Sequence, residues 1–234
     1  MPLPLIVSKE EWLKARLELL KKEKEHTKTR DELTRTRQSM PWVKVEKDYV
    51  FEGTNGKVHL GDLFEGKSQL IVYHFMFEKE WEEGCKSCSF QADHYEPAIV
   101  HLANRDVSMV TISIAPLEKL EGFKKRMNWN FNWLSSENSD FNRDFYVSFT
   151  DEERKSGNGF YNYQENSPYP TKEYPGISVF VKDNDGQIYH TYSTYGRGLE
   201  DFLIVYRLLD IVPNGRNEEE FSYGMEWLRH KDRY

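Results

Sequence analysis

The sequence is poor in cysteine, with 2 in 234 residues. The two lie three positions apart and cannot brace a fold, because the loop they would close is tiny and yields little chain-entropy stabilisation. Long apolar runs are missing as well, and none approaches the length of a membrane span. The opening Met-Pro-Leu-Pro-Leu-Ile-Val-Ser lacks a basic n-region, and its apolar stretch is too short for a secretory signal. The expected setting is therefore the reducing cytoplasm, with no membrane partner. Positive charge is not in excess either. Against 32 Lys and Arg stand 39 Asp and Glu, a formal net charge of −7, which gives no reason to expect nucleic acid as a partner. Internal repeats and low-complexity tracts are absent. What the chain does have is aromatic side chains, 15% of residues, and apolar runs among which the charges are dispersed. That combination reads as a globular chain with one sizeable core and an appendage.

Ser8-Lys9-Glu10-Glu11 reads as a capping box. From there to about Gln38 no Gly or Pro intervenes, and Leu13, Leu17 and Leu20 follow helical spacing, widened by Trp12 and Leu19. Lys21 to Arg37 is nearly all polar, with Glu18/Lys22, Lys28/Glu32 and Asp31/Arg35 at i,i+4. The expectation is a helical arm over residues 1–40 that packs along its first half. Its second half is either solvated or set against another chain, as a homodimer contact. Val43, Val45, Tyr49 and Phe51 suggest a strand, which Gly53-Thr54-Asn55-Gly56 turns into Lys57-Val58-His59-Leu60 as a hairpin. Leu70 to Phe77 is a continuous apolar run, as a central strand covered on both faces requires. Cys88 to about Asn104 reads as a helix, Val107 to Ala115 as a second buried strand, Lys119 to Met127 as a helix and Phe131 to Ser135 as a short strand. Ser139 to Ser167 reads as long surface loops with short elements. Ile177 to Val181, the turn Asp183-Asn184-Asp185-Gly186 and Gln187 to Tyr192 form an antiparallel hairpin at the sheet edge, followed by an amphipathic helix over Gly198 to Asp210. The domain so outlined covers residues 41–215, and residues 216–234 are a C-terminal tail packing on it. The class is α/β, a central mixed sheet flanked by helices.

Gly84-Cys85-Lys86-Ser87-Cys88 stands at the start of the helix of a β-α-β unit. Two cysteines at i,i+3 there can close and reopen a disulfide with little backbone movement. The unpaired N–H groups and positive dipole end of the helix favour a thiolate on Cys85. Cys85 would attack a substrate disulfide and Cys88 would resolve the mixed disulfide. Lys86 adds a favourable charge, whereas Glu82 and Glu83 oppose it. A zinc site would need more ligands, and His94 and His101 give C-x2-C-x5-H-x6-H, which matches no familiar finger spacing, so no metal is expected. Inert buried cysteines are the remaining alternative.

The order of segments resembles the thioredoxin-like superfamily, and four runs, Pro41 to Phe51, Gln69 to Phe77, Gly84 to Phe90 and His190 to Tyr195, carry a closer match. More closely, the sequence is similar to an uncharacterised bacterial family of predicted dithiol-disulfide oxidoreductases, domain of unknown function 899. The resemblance covers nearly the whole chain, including the N-terminal helix. It implies a thioredoxin-like fold with an N-terminal β-hairpin and a long helical arm. It also implies a redox-active Cys85–Cys88 disulfide without further cofactor, acting on protein or small-molecule thiols and disulfides. Similar members usually carry Pro where this chain has Lys86, and thioredoxins place an aromatic where Gly84 stands, with Trp81 here further back. Lys86 and Ser87, between the cysteines, tune the reduction potential.

In thioredoxin-like folds a cis-proline precedes an edge strand and faces the cysteines, and Tyr174-Pro175 matches that placement; the other reading is a trans proline starting a strand. His74 lies where thioredoxins hold a buried acid, and could accept the Cys88 proton; the other reading is a hydrogen-bonded core histidine. Trp81, Tyr161, Tyr163 and Tyr192 offer a substrate groove, or serve packing. Two other functions compete with disulfide exchange. One is a peroxidase with Cys88 attacked by peroxide and Cys85 resolving, although the Pro-x-x-x-Thr-x-x-Cys loop is missing and Cys85 stands at its Thr. The other is a non-catalytic binding module.

Overall fold

The structure, a computed structural model, describes residues 5–165 and 171–234. Backbone contacts divide it into two units, one ending at Pro41 and the other starting at Trp42. The first is a single helix, α1 (Lys9–Gln38). The Ser8 hydroxyl accepts from the Glu11 N–H at 3.3 Å, and the Ser8 N–H donates to the Glu11 carboxylate at 3.0 Å, which closes the capping box. No residue of α1 is buried, and Leu13 and Leu17 each keep 49% of their surface. Lys, Glu and Arg crowd a leucine stripe too narrow to form a core-facing side, and residues 1–4 of the expected arm lie outside the described residues.

The second unit is built on one eight-stranded sheet, in the order β1-β8-β7-β4-β5-β6-β2-β3. Its strands are β1 (Val43–Lys44), β2 (Val50–Gly53), β3 (Gly56–His59), β4 (Gln69–His74), β5 (Val107–Ser113), β6 (Trp133–Ser135), β7 (Gly176–Lys182) and β8 (Ile188–Tyr195). The pairs β4–β5 and β5–β6 are parallel and the others antiparallel. Helix α2 (Lys86–Tyr95) leads the crossover from β4 to β5, and α7 (Ile204–Leu209) follows the β7–β8 hairpin. This mixed β8-β7-β4-β5 core with the cysteines opening its first helix is the expected thioredoxin-like arrangement.

Several elements differ from their sequence reading. The run from Val43 to Phe51 is two strands at opposite sides of the sheet, since Glu46-Lys47-Asp48 breaks the apolar alternation. β1 pairs with β8, so the β7–β8 hairpin is not at the edge. The helix expected to run to Asn104 ends at Tyr95; a 3-10 turn over Glu96–Ala98 and a short α3 (Ile99–Ala103) follow, because Pro97 has no N–H to continue the helical ladder. Gly198 to Asp210 is likewise broken. A 3-10 segment over Gly196–Phe202 meets α7 at an extended Leu203, and the bend buries Leu199, Leu203 and Tyr206 on one side. Between β5 and β6 lies α4 (Leu117–Arg126). The segment from Ser139 has the short elements expected of it, α5 (Phe141–Asp144) and α6 (Asp151–Ser156), but it is not all surface, since it buries Phe141, Phe145, Val147 and Tyr161; its last residues, 166 and 167, lie outside the described residues.

The β4 side chains divide the core. Tyr73 joins Phe75, Phe77, Cys88, Tyr95, Phe123, Trp129 and Trp133 on one face. Leu70 and Val72 join Phe51, Leu63, Phe64, Phe141 and Phe180 on the other. The period of two along the strand decides which residues can reach the cysteines.

Candidate functional site

Cys85 is the N-cap of α2, with φ −52° and ψ 130°, and its carbonyl accepts the first helical hydrogen bond from the Ser89 N–H at 2.8 Å. Its own N–H donates to the Met76 carbonyl at 3.1 Å, which ties the motif to the end of the central strand. Gly84 is required by space. A Cβ there would stand 2.7 Å from one ring carbon of Phe75 and 2.9 Å from one of Phe123. A thioredoxin-type aromatic could not occupy this position without rebuilding that part of the core.

Both thiols are free, Cys85 half-buried and Cys88 buried. A hydrogen bond from the Cys88 thiol and the N–H groups of Cys88 and Ser87 favour the charged form of Cys85, and Lys86 adds a smaller electrostatic pull. Together they outweigh burial and lower its pKa to about 7. Burial and the neighbouring Cys85 push Cys88 the other way, well above the ordinary thiol range. The pair is thus asymmetric: one thiol is ready to ionise at neutral pH and the other holds its proton.

Lys86 turns its ammonium to the Glu226 carbonyl at 2.5 Å. That carbonyl belongs to the C-terminal tail, which makes further bonds around the motif. The His230 Nε2–H donates to the Gly84 carbonyl at 2.9 Å, and Arg126 bridges Glu83 at 2.6 Å and Asp232 at 2.7 Å. Arg233 also pairs with Glu83, and Lys231 with Asp93 at 2.8 Å. Glu83, expected to oppose the Cys85 thiolate, is therefore neutralised by two arginines.

The other expected site residues separate into two groups. Trp81 packs, half-buried, against the cluster that holds both cysteines. His74 does not reach them. It lies on the opposite face of β4, stacked on Phe141 at 5.6 Å and paired through Nε2 with the Ser178 hydroxyl at 2.8 Å. Burial lowers its pKa to about 3, so it is a neutral core histidine and not the proton acceptor of Cys88. Tyr161 and Tyr174 pack with Tyr195 and Val147 in a separate cluster, and the Tyr163 hydroxyl donates to the Ser193 carbonyl at 3.1 Å. Tyr192 sits on β8 opposite Val179. The Pro175 carbonyl accepts from the Tyr161 hydroxyl at 2.7 Å, and its peptide bond is trans, since no cis bond occurs among the described residues. A trans proline suffices because Pro175 only precedes β7 and owes no ladder hydrogen bond. His94 is also engaged, donating from Nδ1 to the Phe90 carbonyl at 2.6 Å and accepting the Val205 N–H at 3.2 Å.

Two tyrosines that sequence reasoning passed over stand beside Cys88. The Tyr73 hydroxyl donates to the Cys88 carbonyl at 3.2 Å and also faces its thiol. The ring of Tyr95 meets that of Tyr73 edge-on at 5.0 Å, and its buried hydroxyl has no partner among the described residues. The signal for Tyr73 was parity along β4, where a residue one step from His74 faces the other way, and for Tyr95 it was the i,i+7 spacing from Cys88 on α2.

A family model described as "Bacterial protein of unknown function (DUF899)" matches residues 1–234. No curated protein matches. Among solved structures, the chain is similar to peroxidoxin BcpB from Mycobacterium tuberculosis, at 15% identity and TM-score 0.46, over 72% of this chain and 96% of that one. A protein described as the thiol:disulfide interchange protein DsbE from Chlorobium tepidum gives 13% and 0.43, over 71% and 98%. Peroxiredoxin Q from Xanthomonas campestris gives 9% and 0.45, over 68% and 89%.

Proposed function

The chain belongs to the bacterial family DUF899, and from its own site we propose that it is a thiol–disulfide oxidoreductase with Cys85 as nucleophile and Cys88 as resolving thiol. The observation that carries this is the asymmetry of the pair at a helix start: a half-buried Cys85 with its pKa lowered to about 7, and a buried Cys88 that keeps its proton. The Cys85 thiolate attacks one sulfur of a substrate disulfide. A Cys85–substrate S–S bond forms, the substrate S–S bond breaks, and the first substrate sulfur leaves as a thiolate. Cys88 then gives up its proton and attacks the Cys85 sulfur, and the second substrate sulfur departs with the electron pair and takes that proton. The substrate gains two electrons and the protein holds a Cys85–Cys88 disulfide, which a dithiol donor in a reducing compartment such as the cytoplasm returns to the thiols. The substrates are protein or small-molecule disulfides. Assigning Cys88 as a peroxide-attacked thiolate fits less well, because burial opposes its ionisation.

The test is alkylation and disulfide reduction with wild type, Cys85→Ser and Cys88→Ser. Wild type should reduce insulin disulfides, Cys85 should alkylate at a rate that rises through about pH 7, and Cys88→Ser should trap a mixed disulfide. Peroxide consumption abolished by Cys88→Ser while Cys85→Ser retains the first turnover would overturn the assignment.

A further inference from the structure

Resolution requires negative charge to develop on Cys88, inside a cluster of apolar side chains. The charged groups nearby are committed elsewhere. Lys86 is held by the Glu226 carbonyl, Asp93 by the Trp129 indole and Lys231, and Glu83 by Arg126 and Arg233. His94 bonds backbone on both nitrogens. What faces Cys88 is Cys85, the Met76 N–H and the hydroxyl of Tyr73, with Tyr95 close enough for the Cys88 charge to act on it. Both tyrosines lie in the same buried cluster as Cys88, with 0% and 8% of their surface exposed. The Tyr95 hydroxyl has no hydrogen-bond partner among the described residues. A buried donor left unpaired costs about 1–3 kcal/mol, and an acceptor that exists only while Cys88 is charged would account for its position.

We propose that the hydroxyls of Tyr73 and Tyr95 are the donors that receive the charge of Cys88 as it attacks the mixed disulfide, and so set the rate of the resolving step. This rests on the dithiol reading above. A phenol is not the base: it donates a hydrogen bond to the sulfur, while the Cys88 proton leaves with the departing thiolate. Tyr73 can redirect its single proton from the Cys88 carbonyl to the sulfur, and Tyr95 gains its first partner. The two act as positioning residues for charge on Cys88 and leave Cys85 to its backbone donors.

The experiment follows the reduced full-length protein reacting with 5,5′-dithiobis(2-nitrobenzoate) by stopped flow. Release of the first thionitrobenzoate reports attack by Cys85, and release of the second reports resolution by Cys88. In Tyr73→Phe and in Tyr95→Phe the second phase should slow about tenfold, the loss of one charge-assisted hydrogen bond, and its pH profile should move to higher pH. The first phase should be unchanged. Tyr49→Phe is the control, because it deletes a buried-ring hydroxyl bonded to Asp144 in the other core layer, and it should alter neither phase. An unchanged second phase in either variant overturns the role of that hydroxyl, and equal slowing in Tyr49→Phe overturns the mechanism for both. Absence of a second phase in the wild type is a different result: it removes the dithiol reading itself.

Discussion

Adding one methyl group at Gly84 tests the packing that aims the cysteines. The Cβ of Gly84→Ala would fall 2.7 Å and 2.9 Å from ring carbons of Phe75 and Phe123. Neither ring is free to retreat. Phe75 is in contact with Trp133 at 4.7 Å and Trp129 at 6.0 Å, and Phe123 with Trp129 at 5.8 Å and His230 at 5.3 Å. Over-packing of this kind costs about 2 kcal/mol, which for a chain of this size lowers Tm by about 4–8 °C. The strain is relieved by moving the backbone of Gly84, which carries Cys85 away from the Met76 carbonyl and the N–H groups beneath its sulfur. The Cys85 pKa should therefore rise with the loss of stability. Gly122→Ala is the matched control: Gly122 lies exposed inside α4 with nothing within 4 Å of its Cβ position, and alanine there should stabilise by about 0.5–1 kcal/mol. Calorimetry and the pH dependence of Cys85 alkylation read both effects. An unchanged Tm and an unchanged Cys85 titration in Gly84→Ala would refute the reasoning.

Two buried groups give pH dependences of opposite sign. Burial pushes Glu173 up to about 8, even though Ser148 and Asn142 donate to it; its folded form keeps a proton that the unfolded chain has lost. Stability from this group is full below the ordinary carboxyl range and falls as pH rises to about 8, by up to about 1.4 kcal/mol per unit. Glu173→Gln should flatten that decline in denaturant titrations, and a decline as steep as wild type would show that another group causes it. His74, with its pKa lowered to about 3, works the other way: the unfolded chain takes up a proton first, so stability is lost as pH falls below the ordinary imidazole range. His74→Phe should flatten this acid limb and leave both phases of thiol reactivity unchanged. Loss of the resolving phase in a folded His74→Phe protein would return His74 to the site.

The sequence showed the cysteine pair at a helix start because that arrangement is local: an apolar run, a glycine and two cysteines three apart. It could not show which of Tyr73 and His74 faces them. A central strand covered on both faces has no polar alternation to read, and a one-residue error exchanges its faces. The broken helix at Pro97 was readable from the missing N–H alone. The break at Glu46-Lys47-Asp48 was readable too, but not that the two pieces lie at opposite sides of the sheet, which only their pairing partners show, Tyr189 and His190 for β1 and β3 for β2. The environment of Lys86 was equally hidden, because its partner carbonyl lies 140 residues further on.

That distance has a consequence for the order of events during synthesis. The hydrogen bonds that hold Gly84 and Lys86 come from His230 and Glu226, which are made 146 and 140 residues after them. Until those residues arrive the nascent chain has its cysteines but not the frame around them. The motif therefore reaches its finished form only after the segment from Glu226 to His230 has been made and has docked against it.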